Sequence, residues 1–170
     1  AAWKPPSQLS DSTALELGKH LKTFLKSQKI SGSSAIITVG RERVVLKDVR
    51  HPLTVPNEEP AIIRFQVMKE LSESPDQSVI DYFKVTNDPL SSDARSLAVV
   101  LKKDFLAQLQ SVAKSAGLSL LAVLPRALGM GQAVISIDQV FADSNDEGSE
   151  LRFAAVSIRD TVAEFSVFSG

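Results

Sequence analysis

Cysteine is absent from this sequence, which excludes a disulfide framework and every thiolate metal site and fits a reducing compartment. The expected location is the cytoplasm. No apolar run approaches the roughly 18 to 20 residues that cross a bilayer, and the N-terminal stretch AAWKPPSQLS has no signal-peptide core. Direct membrane insertion is not expected, so any role at a membrane would run through a partner. The 19 basic and 20 acidic residues nearly cancel, and no basic block exceeds a pair. The electrostatic footprint of nucleic-acid binding is therefore missing.

The usual signs of catalysis are equally sparse. Of the two histidines, His20 falls on the polar side of the first expected helix and His51 precedes Pro52. Neither has an acidic or second histidine partner at ligand spacing, so both are expected to be solvated, with no metal site and no general base. Asp76 and Asp81 flank a helix-to-strand turn, where turn capping accounts for Asp76. Gly129-Met130-Gly131 lacks both the GxGxxG spacing and the lysine and hydroxyl of a phosphate-binding loop, and reads as a helix terminator. No GxSxG elbow is present. No catalytic residue, cofactor or metal is expected.

What is present supports a real core: 44% of the 170 residues are hydrophobic. An extended lead-in with Pro5-Pro6 is followed by N-cap chemistry at Ser10 and Asp11, then a helix to about Ser27 with Ala14, Leu15, Leu21, Phe24 and Leu25 on one stripe. The β-branched runs at 35–39 and 43–49, parted by Gly40-Arg41-Glu42, read as a strand pair. The proline-rich RHPLTVPNEEP is expected to break regular structure and to mark a subdomain boundary. Beyond it the pattern is helix (58–71), strand (79–85), strand (96–102), helix (103–116) and strand (118–124), with Gly117 where a helix C′ glycine belongs. Pro125 opens a short helix through Leu128, VISIDQVF (134–141) reads as extended or helical, and DSNDEGSE (143–150) as a polar loop. The chain closes on two apolar runs, LRFAAVSI and AEFSVF, separated by Arg159-Asp160-Thr161, the pattern of a β-hairpin.

The stretches IIRFQVMKELSESPDQSVIDYFKV and SLAVVLKKDFLAQLQSVAKSAGLSLLAVLPRALGM resemble type IV pilus assembly proteins of the PilM kind. They also resemble the cytoplasmic part of type II secretion proteins of the GspL kind; both groups belong to the actin-like ATPase superfamily. The resemblance rests on the order and spacing of Arg64, Phe65, Leu71, Asp76, Asp81, Tyr82, Ala116, Gly117, Leu118 and Pro125. The sequence departs from the family pattern at Gln66, where a glutamate is usual, and at Ser72-Glu73-Ser74, which replaces a Pro-Phe-Pro turn.

The resemblance implies an α/β (α+β) fold: a partial ribonuclease-H-like, actin-like first domain from residues 1–53 and 122–170, with a small α+β subdomain inserted at 54–121. Family members begin upstream with a phosphate-gripping hairpin and continue downstream with a second domain, so an excised or reduced module is expected. In the family, the hairpin matching AAVSIRDTVAEFSVFSG carries an aspartate and then a glycine, where this sequence has Ser157 and Arg159 followed by Asp160. Arginine fills the space that glycine would leave open and aspartate repels an anion. The hairpin is thus expected to be structural; direct pairing of Arg159 with phosphate is the alternative.

The function implied is a non-catalytic scaffold module of a pilus or secretion platform, cytoplasmic and peripheral to the inner membrane. It would bind the cytoplasmic segment of a PilN-like inner-membrane protein through Arg50, Arg64 and Phe65. The alternative is an ATP-binding actin-like protein whose remaining nucleotide-site elements lie outside this chain. A generic α/β scaffold without a secretion role is a third reading. The strands of the terminal hairpin are expected to pair with those at 35–49, within the chain or exchanged with a second copy as a homodimer.

Overall fold

The computed structural model describes residues 9–71, 75–85, 93–131, 152–159 and 162–169. Helix α1 spans Asp11–Ser27 and starts on a reciprocal cap. Ser10 Oγ accepts from the Thr13 N–H at 3.3 Å, and Thr13 Oγ1 accepts from the Ser10 N–H at 2.7 Å, so two otherwise orphaned donors are satisfied. Strands β1 (Ser34–Val39) and β2 (Val45–Pro52) follow, with a 3-10 turn at Arg41–Arg43 between them. Helix α2 (Glu59–Glu70), strands β3 (Ser78–Val85) and β4 (Asp93–Lys102), helix α3 (Lys103–Ala116) and strand β5 (Ser119–Pro125) come next. Residues 126–131 are helical, and strands β6 (Arg152–Arg159) and β7 (Val162–Ser169) form an antiparallel hairpin.

The expected pairing of β1 with β2 is corrected. β1 lies parallel to β5, whereas β2 joins a three-stranded antiparallel sheet in the order β2-β4-β3. The 3-10 turn carries the chain from one sheet to the other, and Gly40, at φ −72°, does not supply the positive φ of a tight hairpin turn. β2 also runs on through Arg50, His51 and Pro52 instead of ending before them. Proline is tolerated there because it closes an edge strand, where its missing N–H need remove no ladder bond. The expected boundary at Thr54 therefore falls beside a strand that sheet pairing joins to β3 and β4.

Two cores result. Val39, Val44, Val99, Leu101 and Leu109 bring together β1, β4 and α3, while Val49, Ile63, Val67, Ala98 and Val100 seal α2 onto the other face of the three-stranded sheet. Central β4 contributes to both, so its run from Ala98 to Leu101 is buried without alternation. Ile63 and Val67 face the sheet with Leu71 packed beside them, as their helical spacing predicts.

On α1 the buried residues are Ala14 and Gly18, with Leu21 and Leu25 of the expected stripe half-buried on the same side, while Leu15 and Phe24 are exposed, which corrects those two members of the stripe. A Cβ at position 18 would overlap Ser115 Oγ and the Val112 carbonyl. The glycine thus lets α1 and α3 approach closely. Gly117 ends α3 at φ +80°, the left-handed cap expected of it. Gly129, read from sequence as a terminator, lies inside the helical residues 126–131, where a Cβ would come 2.8 Å from Thr38 Cγ2. Close approach to β1 is its role. The segments 134–141 and 143–150 lie outside the described residues.

Candidate functional site

Strand alternation sends Val45, Lys47, Val49 and His51 of β2 toward α2, and Leu46, Asp48 and Arg50 to the opposite face. A groove of about 300 Å³ is lined by Lys47, Asp48, Val49 and Arg50 of β2 and by Gln66, Val67 and Glu70 of α2. Consecutive residues from both faces of one strand can line a single groove only where it wraps the strand's edge. β2 is an edge strand, with β4 on one side and, among the described residues, no strand on the other. Lys47 Nζ and Glu70 Oε2 close the groove at one end, 2.9 Å apart.

The charges along this edge are unevenly matched. Arg50 stands directly across the ladder from Arg95. The Arg95 guanidinium holds Asp48 with two bonds from Nε, 2.8 and 3.0 Å, and one from Nη2, 2.6 Å. That pairing keeps the Asp48 carboxyl below the usual carboxylate range, with Arg50 adding a smaller effect. Like charges directly opposite are unfavourable, so Arg95 turns to Asp48 while Arg50 stays exposed at the edge.

Of the residues singled out from sequence, Arg50 lines the groove. Arg64 and Phe65 lie exposed on α2, with the Lys69 ammonium 4.3 Å from the Phe65 ring. At about 100° per residue Arg64 sits some 160° round the helix from Gln66, on the flank away from the groove. The structure does not bring the two arginines together.

Sequence reasoning missed a buried polar cluster. His51, expected to be solvated, is 2% exposed. Its Nδ1 lies 3.1 Å from the Pro52 carbonyl and its Nε2 3.1 Å from Ser96 Oγ and 3.7 Å from Glu59 Oε1. A carbonyl only accepts, so Nδ1 carries the proton and, in the neutral ring, Nε2 accepts from Ser96. Glu59 Oε2 binds Lys84 Nζ at 2.6 Å and accepts from Tyr82 Oη at 3.4 Å. The Lys84 ammonium is held above the usual lysine range by that bond. Serine, histidine and carboxylate are all present, yet hydroxyl and carboxylate both address Nε2 and Ser96 is fully buried. No relay to an accessible nucleophile is possible. The available signal was parity: His51 continues the alternation of Val45 and Val49 into the core. His20 is exposed as expected, although Glu16, one helical turn away, lies 3.8 Å from its Nε2.

In the terminal hairpin Ser157 sits opposite Glu164, whose carboxylate pairs with Arg126 Nη1 at 2.9 Å in a largely buried contact. The outer face shows Val156, Ile158, Phe165 and Val167, each at least half exposed. Among the described residues β6 and β7 pair only with each other, which corrects the expected pairing with the strands at 35–49 within the chain: each strand pairs one of its edges with the other. Asp160 and Thr161 lie outside the described residues. Among the described residues no helix is long and apolar enough to cross a membrane, and no group of three or more acidic or histidine side chains could hold a metal ion.

No protein-family model and no curated protein matches this sequence. Solved structures do match in fold. One is a chain of the PilM-PilN type IV pilus biogenesis complex, with a TM-score of 0.79 and 13% identity over 99% of this chain and 50% of that one. Another is the cytoplasmic domain of EpsL, an inner-membrane component of the type II secretion system of Vibrio cholerae, with a TM-score of 0.50 and 12% identity over 70% and 44% of the two chains. This chain therefore spans about half the length of the solved chains it matches. The similarity expected from sequence is borne out at the level of fold: this mixed α/β chain is built like part of the PilM-PilN complex and, over a shorter stretch, like cytoplasmic EpsL.

Proposed function

We propose that this protein is a non-catalytic assembly module of a type IV pilus or type II secretion platform, with an actin-like first domain carrying an inserted α+β subdomain. It engages the cytoplasmic segment of a PilN-like inner-membrane partner. The observation that carries this reading is the likeness in fold to a chain of the PilM-PilN complex across 99% of the sequence. The groove beside β2 adds a place for a peptide and a cation, Arg50, to orient it. A partner chain leaving that groove over α2 would meet Arg64 and Phe65 on the helix surface.

A binding role without nucleotide chemistry agrees with the hairpin. Ser157 stands where the family has an acidic residue, and its cross-strand neighbour Glu164 is an anion engaged by Arg126. A phosphate brought there would meet a carboxylate.

Isothermal titration with a synthetic peptide of the cytoplasmic segment of a PilN-like inner-membrane protein tests the reading. Saturable binding is expected, weakened by Arg50→Glu and, where the chain crosses α2, by Arg64→Glu, with circular dichroism unchanged. Absence of binding would overturn it. Millimolar Mg-ATP is expected to leave the melting midpoint unmoved; a rise would favour the nucleotide-binding alternative.

A further inference from the structure

We infer that the partner segment binds as an added β-strand on the edge of β2 that faces away from β4, placing an acidic side chain against Arg50. This rests on the partner reading above and specifies how recognition occurs. In an antiparallel sheet each strand directs alternate backbone N–H and C=O groups to either side, and β2 has β4 on one side only among the described residues. Its outward groups are therefore a template for another strand. The groove exposes this edge, because residues of both β2 faces, Asp48 and Arg50 on one and Lys47 and Val49 on the other, line it together. An edge shielded by its own side chains would not present such a groove.

The charges select among occupants. Arg50 donates no hydrogen bond to a described residue, its cross-ladder neighbour is another arginine, and the nearby carboxylate of Asp48 is already held by Arg95. An acidic residue on an incoming strand, cross-strand from Arg50, supplies the missing countercharge. A second copy of this chain is less suited, since β2 against β2 would bring Lys47 and Arg50 of both copies together along one ladder. On the α2 side the added strand runs beside Gln66 and Glu70, so Lys47 and Glu70 bound the length that can pair.

The test is amide hydrogen exchange on the full chain, with and without the synthetic PilN-like peptide, combined with titration of charge variants. Strand addition predicts about tenfold or greater slowing at alternate amides of residues 45–50. It also predicts an increase in Kd of about tenfold for Arg50→Glu, a smaller one for Arg50→Gln, and recovery when one acidic residue of the peptide is changed to lysine. Binding with protection confined to the Arg64 and Phe65 surface would overturn strand addition while leaving the partner reading intact. No binding at all would overturn both. Protection of β2 that rises with protein concentration and without peptide would assign the edge to a second copy and overturn the inference.

Discussion

His51 Nε2 lies 3.7 Å from Glu59 Oε1 inside the protein, joining the end of β2 to the first residue of α2. The polar cluster around this pair fixes the helix that walls the groove, and it sits where a purely apolar contact would have served for burial alone. Ser96, fully buried, donates to the same nitrogen. Ser96→Ala should leave that nitrogen without its neutral hydrogen-bond partner, at a cost of about 1 to 3 kcal/mol. Urea denaturation measures it, and a variant as stable as the wild type would show that the hydroxyl is dispensable.

Val67 is 1% exposed in the core beneath α2. Val67→Asp should unfold the β2-α2-β3-β4 unit, because burying an unpaired carboxylate costs several kcal/mol out of the roughly 5 to 15 that hold a domain together. Unchanged circular dichroism and melting midpoint would contradict the packing described.

Gly18→Ala should destabilise the α1–α3 crossing by about 1 to 3 kcal/mol through overpacking. Adding Ser115→Ala should restore only part of the loss, since the Val112 carbonyl would still meet the new methyl group. Full restoration would show that the backbone can give way.

Arg95 lowers the Asp48 carboxyl from its ordinary 3.8. A carboxylate with a depressed folded-state value stabilises the fold above its ordinary value, and that contribution is lost as pH falls through the folded-state value. The melting midpoints of wild type and Asp48→Asn should therefore differ at neutral pH and converge below pH 3.8. In Arg95→Gln, the Asp48 titration followed by NMR should move up toward the ordinary value. Both groups are about half exposed, so solvent screening keeps the effect on stability small.

Glu164→Ala should loosen the terminal hairpin by leaving the Arg126 guanidinium, 17% exposed, without its carboxylate. Proteolytic cleavage within β6 and β7 is expected to quicken by about tenfold, the equivalent of some 1.4 kcal/mol of local stability. An unchanged digestion pattern would mean that other contacts anchor the hairpin.

The sequence by itself determined the elements whose signals are local. Ser10 and Thr13 cap α1, Gly117 ends α3 at a positive φ that other residues resist, and the spacing of Ile63, Val67 and Leu71 set the buried face of α2. The fold likeness was also legible, because it rests on the order of such signals along the chain. Only the tertiary structure decided which strands meet. The β-branched runs of β1 and β2 would suit many partners, and the choice of β5 for one and β4 for the other depends on long-range packing that no local window contains. The same holds for His51 and Arg50. Pairing with β4 carried β2 on to Pro52, burying the His51 side chain against Ser96 and Glu59 and leaving its neighbour Arg50 opposite a second arginine at an edge with no strand beside it among the described residues. Which of two adjacent residues becomes core and which becomes surface followed from that pairing.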